Sequence, residues 1–131
     1  IEPRPDACDA LVACFAWGAT FLLASGRREP ALVLLDQAAL HLGPSGEAEP
    51  GAIALVHQAL ALRASSEGDL GGCLASLEAA LASFEQAGDL RNACTVRANM
   101  GFFLSELGAL DRADEVLGEA LAAAERMGLP R

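Results

Sequence analysis

Four cysteines and two histidines are the residues of this 131-residue chain that could bind a metal ion or form disulfides. The cysteines are Cys8, Cys14, Cys73 and Cys94. No two of them form a Cys-x-x-Cys pair, and His41 and His57 have no Asp, Glu or Cys at ligand spacing on a shared helical face. The pattern favours free thiols packed as small core residues in a reducing cytosol. A zinc site is the alternative.

Acidic residues and a glycine pair raise the possibility of acid–base catalysis or phosphate binding. Asp111, Asp114 and Glu115 stand at the start of a predicted helix, where negative charge opposes the positive end of the helix dipole. The Gly71-Gly72 pair has no lysine after it, so it is not a phosphate-binding loop. Without a nucleophile paired with a base, the sequence predicts a protein that is not an enzyme and has no cofactor.

Charge and composition narrow the kinds of partner and the location that the protein can have. The net charge is −9 and the chain contains no Lys, so nucleic acid and anionic membranes are disfavoured as partners. The longest uncharged stretch, residues 10–26, contains Gly18 and Thr20 and predicts a buried helix rather than a membrane span. The composition is typical of a GC-rich bacterial genome. Since the chain begins at Ile1 without a signal peptide, we expect a segment of a longer cytoplasmic protein.

Apolar residues recur with the period of an α-helix in the last third of the chain. One stripe consists of Val96, Met100, Phe103, Leu104 and Leu107. The next consists of Leu110, Ala113, Val116, Leu117, Ala120, Leu121 and Ala124. Gly108 separates them and can adopt the left-handed conformation that ends a helix, so a helical hairpin is predicted.

The second of these helices is an internal repeat, because shifting it by forty residues aligns nine similar positions around Gly68. A weaker copy lies a further forty-two residues back, around Gly26. Asp69 and Asp89 follow glycines and are suited to cap the next helix. The predicted helices lie near 6–25, 28–42, 51–66, 70–87, 90–107 and 110–127, with a loop at 43–51. They give one all-α domain, a solenoid of three antiparallel helix pairs at about 6–43, 51–88 and 89–128.

The small residues in each copy resemble the tetratricopeptide repeat (TPR) family. They are Gly26, Gly68 and Gly108; Ala31, Cys73 and Ala113; and Ala38, Ala80 and Ala120. Residues 97–121 resemble the Asn-x-Gly variety, with Asn99 and Gly101 in the first helix. The repeat is about forty residues long rather than the usual 34, which is similar to arrays attached to bacterial transcriptional activators, signalling kinases and ATPases.

The resemblance implies that a peptide or protein segment binds in the concave groove lined by the first helix of each pair. The family's clamp for a carboxylate terminus is missing, since the matching positions hold Thr20, Ala24, Leu62, Ser66, Phe102 and Glu106. On the fifth helix a second stripe lies about 120° from the apolar one. It consists of Asn92, Thr95, Asn99, Phe102 and Glu106, and the repeat places Trp17 and Leu62 level with parts of it.

The predicted groove residues are therefore Trp17, Thr20, Leu62, Ser66, Asn92, Thr95, Asn99, Phe102 and Glu106. The alternative for Trp17 and Phe102 is packing between neighbouring helices. We expect a non-catalytic protein- or peptide-binding module of a bacterial cytoplasmic signalling or regulatory protein. The alternative function is a ligand-sensing superhelical domain of a transcriptional regulator. The first helix is too apolar for one face, so a homo-oligomer formed through it, or cover from flanking sequence, is also expected.

Overall fold

The computed structural model describes residues 5–42 and 49–128, which form six α-helices and no β-strand. The helices are α1 (Pro5–Ala24), α2 (Arg28–Leu42), α3 (Pro50–Ser66), α4 (Leu70–Ala87), α5 (Leu90–Glu106) and α6 (Leu110–Arg126). Each end lies within one residue of its predicted position, and the all-α class is confirmed. The predicted loop at 43–51 falls mostly outside the described residues.

The turns between helices recur at glycines, as the sequence predicts. At the end of α4, Gly88 has a φ of 75°, a left-handed conformation that residues with a side chain rarely adopt. Its N–H donates to the carbonyl of Glu85 at 3.1 Å, and the N–H of Asp89 donates to that of Phe84 at 2.9 Å. The Asp89 carboxylate then accepts the N–H of Asn92 at 3.2 Å and so begins α5. The predicted caps are confirmed.

The helices pack as three pairs, α1 with α2, α3 with α4, and α5 with α6. Successive pairs then stack on each other, as expected for a helical repeat. The two stacking junctions differ, since α3 lies mainly against α1 whereas α5 lies against α4. The α1, α3 and α5 helices are the first helices of their pairs.

Alanine dominates the core, which is why the helices can approach each other closely. Val12, Cys73, Phe84 and Val96 are the largest side chains that are fully buried. The predicted α5 stripe is confirmed at Val96, Met100 and Leu104, which are buried. Leu107, at the end of that stripe, is exposed instead.

On α6 the predicted stripe is wrong at its leucines. Ala113, Val116 and Ala120 are buried, but the leucines on the same stripe are exposed. These are Leu110, Leu117 and Leu121. Leu117 lies against Gly101 of α5, and no further pair follows α6 within the described residues to cover the rest of this side.

The first helix is only partly buried, which agrees with the prediction that it is too apolar for one face. Val12, Ala16 and Ala19 face the core, while Trp17 and Phe21 are exposed. Because α1 is the first helix of the first pair, only the faces turned to α2 and α3 are covered. None of the described helices is long and apolar enough to cross a membrane.

Candidate binding groove

Helix α5 exposes most of the predicted groove residues. Asn92 is half-buried, while Thr95, Asn99, Phe102 and Glu106 are exposed. The Phe102 ring meets the Phe103 ring edge-on, with centroids 5.2 Å apart and planes at 78°. The Phe102 side chain still remains 58% accessible. This face of α5 therefore presents amides, a hydroxyl, a carboxylate and one aromatic ring to the outside.

One cavity brings two predicted residues, Trp17 and Asn92, together. We call it the Trp17 cavity, and its volume is about 410 Å³. It is lined by α1 (Asp9, Ala10, Ala13, Trp17), the start of α3 (Glu49, Gly51, Ala52, Leu55) and the α4–α5 corner (Phe84, Asp89, Asn92). The Trp17 side chain is 54% accessible at its edge. The cavity is therefore assembled from all three helix pairs.

Hydrogen bonds fix the polar side of the Trp17 cavity. The Asp9 carboxylate accepts the Glu49 backbone N–H at 3.0 Å and so ties α1 to the start of α3. Asp89 accepts the side-chain N–H of Asn92 at 2.7 Å, which orients this amide at the cavity wall. Asp89 therefore acts both as a helix cap and as a support for a groove residue.

The Trp17 cavity is electrostatically negative. Asp9, Glu49 and Asp89 all line it, and no Arg of the described residues does. Each carboxylate oxygen has two lone pairs, so oxygens that already accept an N–H can accept another donor. A cationic group lying against the Trp17 ring would also gain a cation–π contact. The lining therefore fits a basic or amphipathic side chain.

A second, smaller cavity lies between α3, α4 and α5 and brings together the predicted residues Leu62 and Asn99. We call it the Asn99 cavity, and its volume is about 70 Å³. Its lining consists of Gln58, Ala61, Leu62, Cys73, Leu77, Asn99 and Phe103. Carboxamides from α3 and α5 thus flank an apolar floor. A small apolar group would fit this space with backbone amides close to Gln58 and Asn99.

The thiol on the floor of the Asn99 cavity is not a nucleophile. Burial, reinforced by the negative charge of Asp69, raises the pKa of Cys73, so the unreactive thiol form prevails at neutral pH. Cys94 donates its thiol to the Ala120 carbonyl at 3.2 Å, while Cys14 is exposed. The prediction of core cysteines is therefore confirmed for Cys73 and wrong for Cys14. The Cys8 side chain lies outside the described part. Cys14, Cys73 and Cys94 are all free thiols.

The hydroxyls among the predicted residues are occupied locally. Thr20 donates to the Ala16 carbonyl at 2.9 Å, Thr95 to Arg91 at 3.2 Å and Ser66 to Arg63 at 2.6 Å. Such bonds to the preceding turn are common for Ser and Thr in helices. Thr20 and Ser66 line neither cavity, so the structure does not bring them to the Trp17 or Asn99 sites.

Sequence reasoning missed Gln58, Asp9 and Glu49 as lining residues. Gln58 lies one helical turn before the predicted residue Leu62, so a search of the neighbouring turn of α3 would have found it. Asp9 and Glu49 carry no comparable local signal, because their place at the cavity depends on how α1 packs over α3.

Within the described residues, no group of three His, Cys, Asp or Glu side chains is arranged to hold a metal ion. Comparison of the chain with protein-family models, curated proteins and solved structures finds no significant match. The TPR resemblance therefore stays a prediction carried by the residues themselves.

Proposed function

We propose that this chain is a non-catalytic, TPR-like module that binds a peptide segment of another protein. The segment lies along the exposed face of α5, from the Trp17 cavity at the start of the helix to the Asn99 cavity in its middle. The wider setting we propose is a cytoplasmic signalling or regulatory protein of a bacterium, which the composition and the long repeat support.

The spacing of Asn92 and Asn99 carries this proposal. The two residues are seven positions apart on one helix, or about 10 Å along its axis. Each borders a cavity with an apolar wall. In a peptide with polyproline II geometry, which has three residues per turn, side chains three residues apart lie on one face and are separated by about 9 Å. Two side chains of the partner would thus enter the two cavities while Asn amides hydrogen-bond its backbone.

The charge of the groove selects the kind of peptide. The chain has a net charge of −9, and three carboxylates line the larger cavity. Partners with Arg or Lys at the position that enters the Trp17 cavity should associate faster and bind more tightly than neutral ones. Added salt should weaken the binding because it screens these exposed charges.

Two features favour this proposal over a small-molecule sensor. The part of the core that the structure describes contains no buried polar or charged residue. A sensor pocket orients its effector with a few enclosed polar groups, whereas the polar groups here lie on an open groove. The Trp17 cavity itself also opens to the surface.

Random peptides displayed on phage, followed by titration of the selected ones, test the proposal. Trp17 is the only Trp in the chain, so its fluorescence reports directly on the occupancy of its cavity. Selected peptides should carry basic residues and shift the Trp17 emission on binding. The double variant Asn99→Ala, Phe102→Ala should weaken their binding at least tenfold, equal to about 1.4 kcal/mol, without loss of fold.

The control is Glu78→Ala, which removes an exposed carboxylate of α4 that lines neither cavity. This variant should bind the selected peptides with nearly unchanged affinity. The proposal is wrong if selection yields no binding peptide. It is also wrong if the peptides bind the double variant and the native chain equally well.

A further inference from the structure

Within the described residues, each end of the helix stack carries an uncovered apolar face. The internal repeat identifies, for each face, the equivalent face inside the stack that another helix covers. We define the tail face as Leu110, Leu117 and Leu121 on α6, and the head face as Leu11, Cys14 and Phe21 on α1. All six side chains are exposed. None of the six lines either cavity.

The tail face has a covered counterpart forty residues earlier. Leu70, Leu77 and Leu81 of α4 hold the same repeat positions as Leu110, Leu117 and Leu121. Leu77 is 2% exposed whereas Leu117 is 40% exposed, and Leu70 and Leu81 are half-buried. The difference arises because α5 packs on α4, while none of the described helices packs on the corresponding side of α6.

The head face has a covered counterpart on α5. The alignment of α1 with α5 places Leu11, Cys14 and Phe21 level with Ala93, Val96 and Phe103. Ala93 and Val96 are fully buried, and Phe103 packs partly against the same core cluster. Leu11 and Phe21 are 40% and 70% exposed. The head face of α1 is thus equivalent to the face of α5 that packs on α4.

We infer that the chain associates head to tail, with the head face of one copy packing on the tail face of another as α5 packs on α4. The occupant of each face is a second copy, because the chain itself contains both halves of the joint. A single helix-on-helix joint is smaller than the roughly 1,200 Å² of a stable complex. We therefore expect reversible association that grows with protein concentration.

Asp114 is among the positions at which α6 departs from α4. It lies beside the tail face, where α4 has Leu74, which packs against the core cluster. A carboxylate that loses water at an apolar joint opposes association. Asp114→Leu would reproduce the α4 face and should tighten association by about tenfold.

Sedimentation velocity of the 131-residue chain, from low-micromolar to millimolar concentration, tests the inference. The native chain should form growing oligomers, since a head-to-tail joint leaves an open face at each end. Phe21→Glu removes the head face and Leu121→Glu the tail face, so each variant alone should stay monomeric. An equimolar mixture should form one-to-one dimers, because each variant keeps the face that the other lacks.

Val33→Glu is the matched control, since it places a charge on an exposed apolar position of α2 that belongs to neither face. It should associate like the native chain. Circular dichroism confirms that every variant keeps its helices. A native chain that is monomeric at millimolar concentration would overturn the inference, as would a mixture that stays monomeric. Association that Phe21→Glu abolishes and Leu121→Glu spares would show an α1-to-α1 dimer and overturn it too.

Discussion

The two junctions between helix pairs solve the same packing problem with different residues. At the first junction, Ala52 and Ala59 of α3 are buried against α1, where Ala16 and Ala19 are buried as well. At the second junction the repeat places Asn92 and Asn99 of α5 in the positions of Ala52 and Ala59. These amides border the two cavities instead of a closed contact.

The comparison explains where the groove comes from. Small side chains let two helix backbones approach closely, while longer polar ones hold them apart and need hydrogen-bond partners. Within the described residues α5 therefore lies against α4 without the direct backbone approach to α3 that α3 makes to α1. The proposed binding surface is the second junction, where two asparagines replace the two alanines.

Breaking the second junction should give the largest effect on stability. Phe84 is the largest fully buried side chain, belongs to the core cluster joining α3 to α6, and lines the Trp17 cavity. Phe84→Ala should lower the free energy of unfolding by about 4 kcal/mol, because it loses burial and leaves a cavity. Urea denaturation followed by circular dichroism measures it. Leu40→Ala removes an exposed side chain and should change stability by less than about 0.5 kcal/mol.

Exchanging the junction residues should give the next largest effect. Ala59→Asn places the residue of the open junction into the closed one, where an amide would be buried without room or partners. The free energy of unfolding should fall by about 3 kcal/mol from desolvation and overpacking together.

The reverse exchange is the matched control for Ala59→Asn. Asn99→Ala removes an exposed amide and substitutes a better helix former, so stability should rise by a few tenths of a kcal/mol. The same variant weakens peptide binding if the proposed groove is correct. If Ala59→Asn and Asn99→Ala changed the free energy of unfolding equally, the two junctions would not differ in how closely their helices pack.

The helices and turns were predictable because their signals are local. The glycines at 68, 88 and 108 mark helix ends, and Asp69 and Asp89 mark the following starts, all within a few residues of the structure they determine. The exposure of the second α5 stripe was predictable for the same reason. Helical periodicity places it about 120° around the helix from the apolar stripe that packs on α4.

The wrong predictions concern contacts between distant segments. Periodicity placed Leu117 and Leu121 on an apolar stripe. It could not show that α5 covers this side of α4 while none of the described helices covers the same side of α6. The acidic lining of the Trp17 cavity was missed likewise, because Asp9 and Glu49 meet only after α1 packs over α3. Local sequence determines which face is apolar, and the order of the stack determines whether it is covered.

The smallest expected effect concerns pH and α3, the helix that packs on α1 at the first junction. Burial of His57 on α3 lowers its pKa below the ordinary value of 6.5. As the pH falls below about 6.5, the unfolded chain therefore takes up a proton that the folded chain does not. Stability should decline until the pH reaches the lower, folded pKa. Hydrogen bonds from Arg28 and then Arg63 lower the pKa of Glu67 below 4.5. Its contribution is present above that value and is lost only as the pH falls through its folded pKa.

Urea midpoints measured from pH 7.5 down to pH 3 separate the two groups, since each acts in its own window. His57→Gln should flatten the decline that begins near pH 6.5 and leave the more acidic one in place. Glu67→Gln should do the reverse. If His57→Gln keeps the full decline above pH 5, then α3 is not closed around His57, and the contrast between a tight first junction and an open second one loses its support at this helix.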